Sequence, residues 1–385
     1  SMFLIGVAML YGVTGTLNMA DMAIMVPAIP EDDRGLLHAG AAILAVAFLV
    51  KAAAWPLNFW LPSAYSAAAA PVSALFAILT KLGVYAILRV WTLLFPQDAG
   101  VSALFGGPVL VGLGLVTLAF GALGIIATQH LGRMAAFCAI LSSGTLLAGL
   151  GFGQPAVTGG ALYYTLGSTL AISAFFLLVE LVDRTREVEE KPLYISEIEP
   201  DDAFAFPVDL VPTRDVNLDD DEQALIGRAI PAAMAFLGLA FIVCALTIAG
   251  LPPMAGFVGK VVMLSALLNP AGFGEDAGVS GAAWLLLGLL LVGGLLTIIA
   301  MSRAGVRYFW ATFDRPLPRL RIIETLPIGA LLLLVGVLVW QADAVLRYVN
   351  ATARGLHDPK EYIGSVLSAK PLPSPTATGE GGLRR

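Results

Sequence analysis

Three lysines, Lys51, Lys81 and Lys260, stand within apolar runs that have the length and character of membrane spans. Lys51 follows Ala41 to Val50, Lys81 lies within Val72 to Ile87, and Lys260 lies within Ala255 to Leu264. Placing a lysine at the centre of a span costs about 2.5 to 3.5 kcal/mol, so such residues face a bundle interior and mark ion or proton routes. Burial and neighbouring charge together set whether such an amine is protonated, which is the property a proton relay uses. Hydroxyls gather on one apolar segment: Tyr163, Tyr164, Thr165, Ser168, Thr169 and Ser173 give it a polar face that either holds waters in a proton path or binds helix to helix. Arg89 reads as an interfacial anchor, His38 and His130 stand at span ends, and His357 lies in the polar tail. No P-loop, glycine-rich dinucleotide turn, GxSxG or facing histidine pair accompanies the lysines, so no enzyme chemistry and no cofactor is expected. Cys138 and Cys244 lie in apolar segments without a ligand pattern and read as core residues, and no metal is expected.

The elements that must position these residues are membrane helices. Hydrophobic residues make up 58% of the 385 and charged residues 13%, with a mean hydropathy of +0.85, which excludes a soluble core and predicts an all-α, polytopic bundle. The predicted spans are Met2 to Tyr11 in part, Leu36 to Leu57, Pro71 to Leu94, Pro108 to Thr128, Met134 to Phe152, Gly160 to Leu181, Ala229 to Leu251, Met254 to Leu268, Ala282 to Met301 and Leu326 to Leu346. Two are expected to be broken, one at Pro56 and Pro62, the other at Pro252 and Pro253 inside GLPPMAG. Proline removes a backbone donor, so the freed carbonyls must face protein or water. Discontinuous helices in two places point to an ion site at the midplane.

Basic residues orient the bundle. Arg303 to Arg321 is arginine-rich, whereas the loop before Gly281 carries Glu275 and Asp276 and no base, which places the arginines on the cytoplasmic side. Arg133 then falls inside and Glu31, Asp32 and Asp33 outside, while the basic residues of the tail fall outside, against the rule. Residues 1–350 read as the transmembrane core, 181–228 as an acidic cytoplasmic loop within it, and 351–385 as a polar, partly disordered tail. The formal charge of −6 is concentrated in that loop and gives no reason to expect nucleic acid. Ser1 to Gly6 lacks the flanks of a signal peptide and reads as a helix entered partway.

The run KAAAWPLNFWLPSAY from Lys51, followed by APVSALFAILTKLGVYAILR, resembles the proton-antiporter core shared by respiratory complex I membrane subunits and Mrp-type cation/proton antiporters. With LYGVTGTLNMADMA and AGLPPMAGFVGKVVML, the chain is most similar to the D subunit of the Mrp (Pha, Mnh) antiporters, over about Ser1 to Leu346. The resemblance implies inverted five-helix repeats with helices seven and twelve broken, here Leu36 through Ser66 and Ala229 through Leu268. It assigns Lys51 to helix seven, Lys81 to helix eight and Lys260 to helix twelve as proton-relay residues. It also implies that the chain begins within helix six, so that helices one to five and the glutamate that partners Lys51 lie outside it. Where relatives often carry a histidine and a lysine in the polar helix, this chain has Gly167 and Ile172, and their acidic-basic junction is reduced to His130, Gly132 and Arg133. The route between half-channels is then expected to rest on water held by Tyr164, Ser168 and Ser173.

The function implied is proton translocation in a multisubunit Na⁺(K⁺)/H⁺ antiporter of the bacterial inner membrane, with other membrane subunits as partners and protons and Na⁺ or K⁺ as cargo. The competing reading is a proton-pumping component of a complex I-like or hydrogenase-type oxidoreductase.

Overall fold

The computed structural model describes residues 1–190, 232–270, 278–310 and 321–369. Among these the chain is helical throughout, with no strand. The helices are α1 (Met2–Thr14), α2 (Met19–Ala28), α3 (Glu31–Lys51), α4 (Trp60–Ala67), α5 (Ala70–Leu94), α6 (Gly107–Ala127), α7 (Leu131–Leu150), α8 (Pro155–Glu190), α9 (Ala232–Ala249), α10 (Ala255–Leu268), α11 (Gly281–Gly305), α12 (Ile322–Trp340), α13 (Ala342–His357) and α14 (Lys360–Leu367). Eight are long and apolar enough to cross a membrane, and α1 with α2, bent by 57° at residues 15–18, passes the same test as one broken unit. The chain is a multi-pass membrane protein.

Two elements end elsewhere than the sequence predicts. The second span, expected over Leu36 to Leu57, runs as α3 from Glu31 to Lys51. Its acidic first turn, Glu31, Asp32 and Asp33, complements the positive end of the helix dipole. It stops because Ala53 takes φ 53°, after which Ala54 N donates to Leu49 O (3.0 Å) and Ala53 N to Val50 O (3.2 Å). This is the reverse turn that usually closes a helix on glycine. The last span, expected over Leu326 to Leu346, stops at Trp340; the chain turns at Gln341 into the amphipathic α13, whose Val349, Ala353 and Leu356 are buried. Helix α2 lies between Tyr11 and Leu36, where the sequence predicts no span.

Helices α6 and α7 pack most closely, through small residues: a Cβ on Gly121 would lie 2.6 Å from Leu141 N. Helix α8 runs through the centre, packed on α5, α7, α9, α10, α12 and α13, and its Glu180 carboxylate accepts from Ala70 N (3.1 Å) at the start of α5. At the end of the bundle that holds Arg303 and Arg307, these guanidiniums donate to Ile126 O (2.8 Å) and Gln129 Oε1 (2.9 Å). At the opposite end, α13 lies over the start of α8, where His357 Nε2 and Thr158 Oγ1 share a hydrogen bond of 2.9 Å. Helix α14 follows, and its Tyr362 ring stacks under Arg89 of α5 at 4.1 Å. Of the acidic loop 181–228, residues 181–190 continue α8 and the rest lies outside the described residues; of the tail, residues through Leu367 are helical and 370–385 lie outside them.

Candidate functional site

Both proline-rich interruptions fall between helices, each parting a helix long enough to span from a shorter one, α4 or α10. Between α3 and α4 the chain turns through residues 52–59, and between α9 and α10 through residues 250–254; each break holds one cis X–Pro peptide, Trp55–Pro56 and Pro252–Pro253. Pro62 lies in the first turn of α4. The first break is clamped by Thr117 of α6, whose hydroxyl accepts from Trp55 N (2.9 Å) and donates to Leu113 O (2.6 Å). Ala52, Ala53 and Ala54 are fully buried there, and their packing holds Ala53 in a left-handed conformation that a side chain disfavours by about 1 kcal/mol.

The second break shows what its prolines do. In an α-helix the carbonyl of residue i accepts from the amide of i+4. For Ile248 and Ala249 those amides belong to Pro252 and Pro253, which have none. The two stranded carbonyls are taken by Lys260, one turn into α10: its Nζ donates to Ala249 O at 2.9 Å and to Ile248 O at 3.3 Å. Gly250 permits the approach in two ways. Its φ of +80° suits glycine, and a Cβ there would lie 2.6 Å from Lys260 Nζ. Lys260 is 6% exposed, and no carboxylate pairs with it among the described residues. Its ammonium is held at the negative end of the α9 dipole by these two carbonyls.

Lys81, 5% exposed near the middle of α5, donates to Ser142 Oγ of α7 at 2.6 Å. The hydroxyls of Ser142 and Thr145, one turn apart, face the phenol of Tyr164 from α8, which is itself buried. Lys260 Nζ stands 5.8 Å from the centroid of the Tyr164 ring. Gly259 makes that contact close: a Cβ on it would lie 2.8 Å from Tyr164 Cα. Four side chains from four helices, Lys81, Ser142, Tyr164 and Lys260, therefore form one buried array containing no acid.

The remaining candidates are placed differently. Lys51 is the last residue of α3 and is exposed, with no hydrogen bond or ion pair among the described residues. It stands at the depth of Lys81, because the end of α3 packs on Gly83 of α5, where a Cβ would lie 2.7 Å from Ala52 N and 3.0 Å from the Lys51 carbonyl carbon. Ser173 donates to Ala74 O (2.9 Å), tying α8 to α5, and Ser168 donates to Thr165 O (3.3 Å) within its own helix. Of the three polar-helix residues expected to hold water, Tyr164 alone joins the lysines. Ser142 and Thr145 do not stand out in the sequence; the available signal is the SSGT run at 142–145 in an otherwise apolar span. Three buried polar atoms near these groups in sequence have no protein partner among the described residues: Asn58 Nδ2 and Trp60 Nε1 in and beside the first break, and Ser143 Oγ next to Ser142. Groups of this kind are ordinarily hydrated.

A family model described as NADH:quinone oxidoreductase/Mrp antiporter, TM, matches residues 1–197. The chain is 44% identical over 369 residues to the D subunit of a probable K(+)/H(+) antiporter of Rhizobium meliloti, covering 96% of this chain and 66% of that protein. It is 31% identical to the D subunit of the Na(+)/H(+) antiporter of Bacillus subtilis, covering 95% of this chain and 65% of that protein. It thus spans just under two thirds of the length of these relatives. Among solved structures, a chain of the Mrp complex from Dietzia sp. superposes with a TM-score of 0.74 at 21% identity, covering 95% of this chain and 67% of that one. A chain of an archaeal membrane-bound sulfane sulfur reductase gives 0.73 at 20% identity, covering 95% and 65%. These likenesses establish the fold.

Proposed function

We propose a proton-moving role for this chain, which belongs to the NADH:quinone oxidoreductase/Mrp antiporter transmembrane family: it is the proton-translocating component of a multisubunit monovalent cation/proton antiporter. The observation that carries the reading is the acid-free array from Lys81 through Ser142 and Tyr164 to Lys260. A hydroxyl accepts a proton on one lone pair and releases another from its O–H, so Ser142 and Tyr164 together do the work that a further lysine or histidine does elsewhere. The remaining gap between the phenol and Lys260 is crossed through a bridging water. Lys51, level with Lys81 and open on its outer side, hands protons to it once a neighbouring group covers that side.

The names of the relatives support antiport over electron-driven pumping, and the 44% identical one is named for K⁺. The partners are other membrane subunits, the site of action is the bacterial inner membrane, and the face bearing Arg303 and Arg307 is cytoplasmic. The test uses everted vesicles carrying the complete complex. Lys81→Ala and Lys260→Ala each abolish K⁺- or Na⁺-driven proton movement while the complex still assembles. Wild-type rates in both variants refute the relay, and proton movement that requires NADH rather than a cation gradient favours the respiratory reading.

A further inference from the structure

The second break offers more than a seat for a lysine. The last three carbonyls of α9 have lost their helical donors: Ile248 and Ala249 because Pro252 and Pro253 have no N–H, and Thr247 because Leu251 N donates instead to Leu246 O at 3.0 Å. A helix that ends inside the membrane presents the negative end of its dipole there, and stranded carbonyls at such ends are the ligands with which transport proteins strip water from monovalent cations. Lys260 brings a monovalent cation to these oxygens already, its ammonium being at 2.9 Å and 3.3 Å from them. An ammonium and a potassium ion carry the same charge and are close in size, so oxygens spaced for one suit the other. The Tyr164 ring 5.8 Å away favours any small cation by its quadrupole. Helix α11 closes on one of these oxygens. At Gly294 of α11, the residue facing Ala249, a Cβ would lie only 2.9 Å from Ala249 O.

We propose that Ile248 O and Ala249 O, beneath the Tyr164 ring, form a binding site for a potassium-sized monovalent cation, which the ion and the Lys260 ammonium occupy in turn. This rests on the antiporter reading and supplies a place where cargo and proton carrier meet. The four-carbon stem of Lys260 lets the ammonium swing off the oxygens, and its return expels the ion. Two positive charges cannot share two carbonyls, so exclusion is built into the site. A seat that holds an ammonium at 2.9 Å and 3.3 Å matches K⁺ and Rb⁺ in size more closely than the smaller Na⁺.

The test is equilibrium binding of radioactive rubidium to the purified complete complex at one fixed pH, with K⁺ and Na⁺ as competitors. Lys260→Met removes the resident cation while keeping most of the side-chain volume, and tightens rubidium binding by about tenfold or more. Lys260→Arg keeps a charge on the oxygens and abolishes it. Gly294→Ala, combined with Lys260→Met, crowds Ala249 O and weakens binding by about tenfold. Equal rubidium affinity in wild type and Lys260→Met, or indifference to Gly294→Ala in that background, overturns the site. Should Lys260→Met fail to assemble, Gly294→Ala in the otherwise native chain decides: the KM for K⁺ in cation-driven proton movement rises about tenfold, and an unchanged KM overturns the proposal. The two readings fail separately. Protons that move normally without Lys260 refute the relay, whereas lost proton movement with unaltered rubidium binding refutes the cation site alone.

Discussion

Replacing Ser142 by alanine removes one hydroxyl from a buried interface and leaves every lysine in place. At 2.6 Å, the bond from Lys81 Nζ to Ser142 Oγ is as short as charge-assisted hydrogen bonds become. Bonds to charged groups contribute about 1.5 to 3 kcal/mol, more than neutral ones, and Lys81, 5% exposed, has no water-facing surface on which to recover the loss. At about 1.4 kcal/mol per decade, Ser142→Ala slows proton transfer by about 10- to 100-fold. The alanine also leaves Tyr164 facing only Thr145 among the α7 hydroxyls that now flank it, so the path to Lys260 is cut at the same point. The assay is K⁺-driven quenching of a pH-sensitive dye in everted vesicles, with the amount of assembled complex measured by native gel. Ser142→Thr restores the hydroxyl and the rate. An alanine variant that transports within about twofold of wild type at equal complex abundance, well short of the decade that one lost charge-assisted bond implies, would show that Lys81 passes its proton by some other group, and the array would lose its role.

Tyr164→Phe keeps the ring and its packing on Gly259 but removes the phenol; proton movement falls by a factor similar to that of Ser142→Ala, and a double variant falls no further, which a double-mutant cycle on the rates checks. Gly83→Ala forces a methyl to within 2.7 Å of Ala52 N and 2.9 Å of Phe48 O, costing about 1 to 3 kcal/mol of overpacking and pushing Lys51 away from Lys81; thermal unfolding in detergent and transport both register it. Thr117→Val removes the hydroxyl that accepts from the part-buried Trp55 amide and destabilises the first break by about 0.5 to 1.5 kcal/mol, read as a lower melting temperature. Burial lowers the pKa of His357 below its ordinary 6.5, so the undocked α13 binds a proton more readily than the docked one; docking is at full strength above pH 6.5 and weakens as pH falls below it, which hydrogen exchange over 342–357 detects and His357→Gln abolishes.

The spans are legible because hydrocarbon thickness fixes their length and leaves few charges to interrupt them. Lys81 and Lys260 are legible for the same reason, as charges that an apolar run does not accommodate without purpose. The prolines mark both breaks, but not what they free: that Pro252 and Pro253 strand the carbonyls of Ile248 and Ala249 follows from helix geometry only once α9 is known to run to Ala249 without shifting register. Ser142 is inconspicuous because a serine in a span costs little and occurs often as packing glue. Its meaning depends on α5 and α7 meeting at Lys81, a contact between residues 61 apart in sequence. Lys51 looks embedded because the apolar run continues through Ala52, Ala53 and Ala54; the helix nevertheless stops there, since the turn at Ala53 is decided by tertiary packing rather than by composition. The break at Gln341 is hidden in the same way, the alanines, Val345 and Leu346 of α13 extending the apolar average although Asp343 and Arg347 belong to a helix lying across the bundle.

The middle of the array is neutral. Ser142 and Tyr164 store no proton at rest, so a proton crossing them leaves each O–H pointing the wrong way, and none can follow until both have rotated back. On the relay proposed above, throughput is limited by the turning of two hydroxyls, and the two lysines do not share a dry interior with a third positive charge between them. A lysine at the place of Tyr164 would shorten each hop and add a standing repulsion on both sides of it.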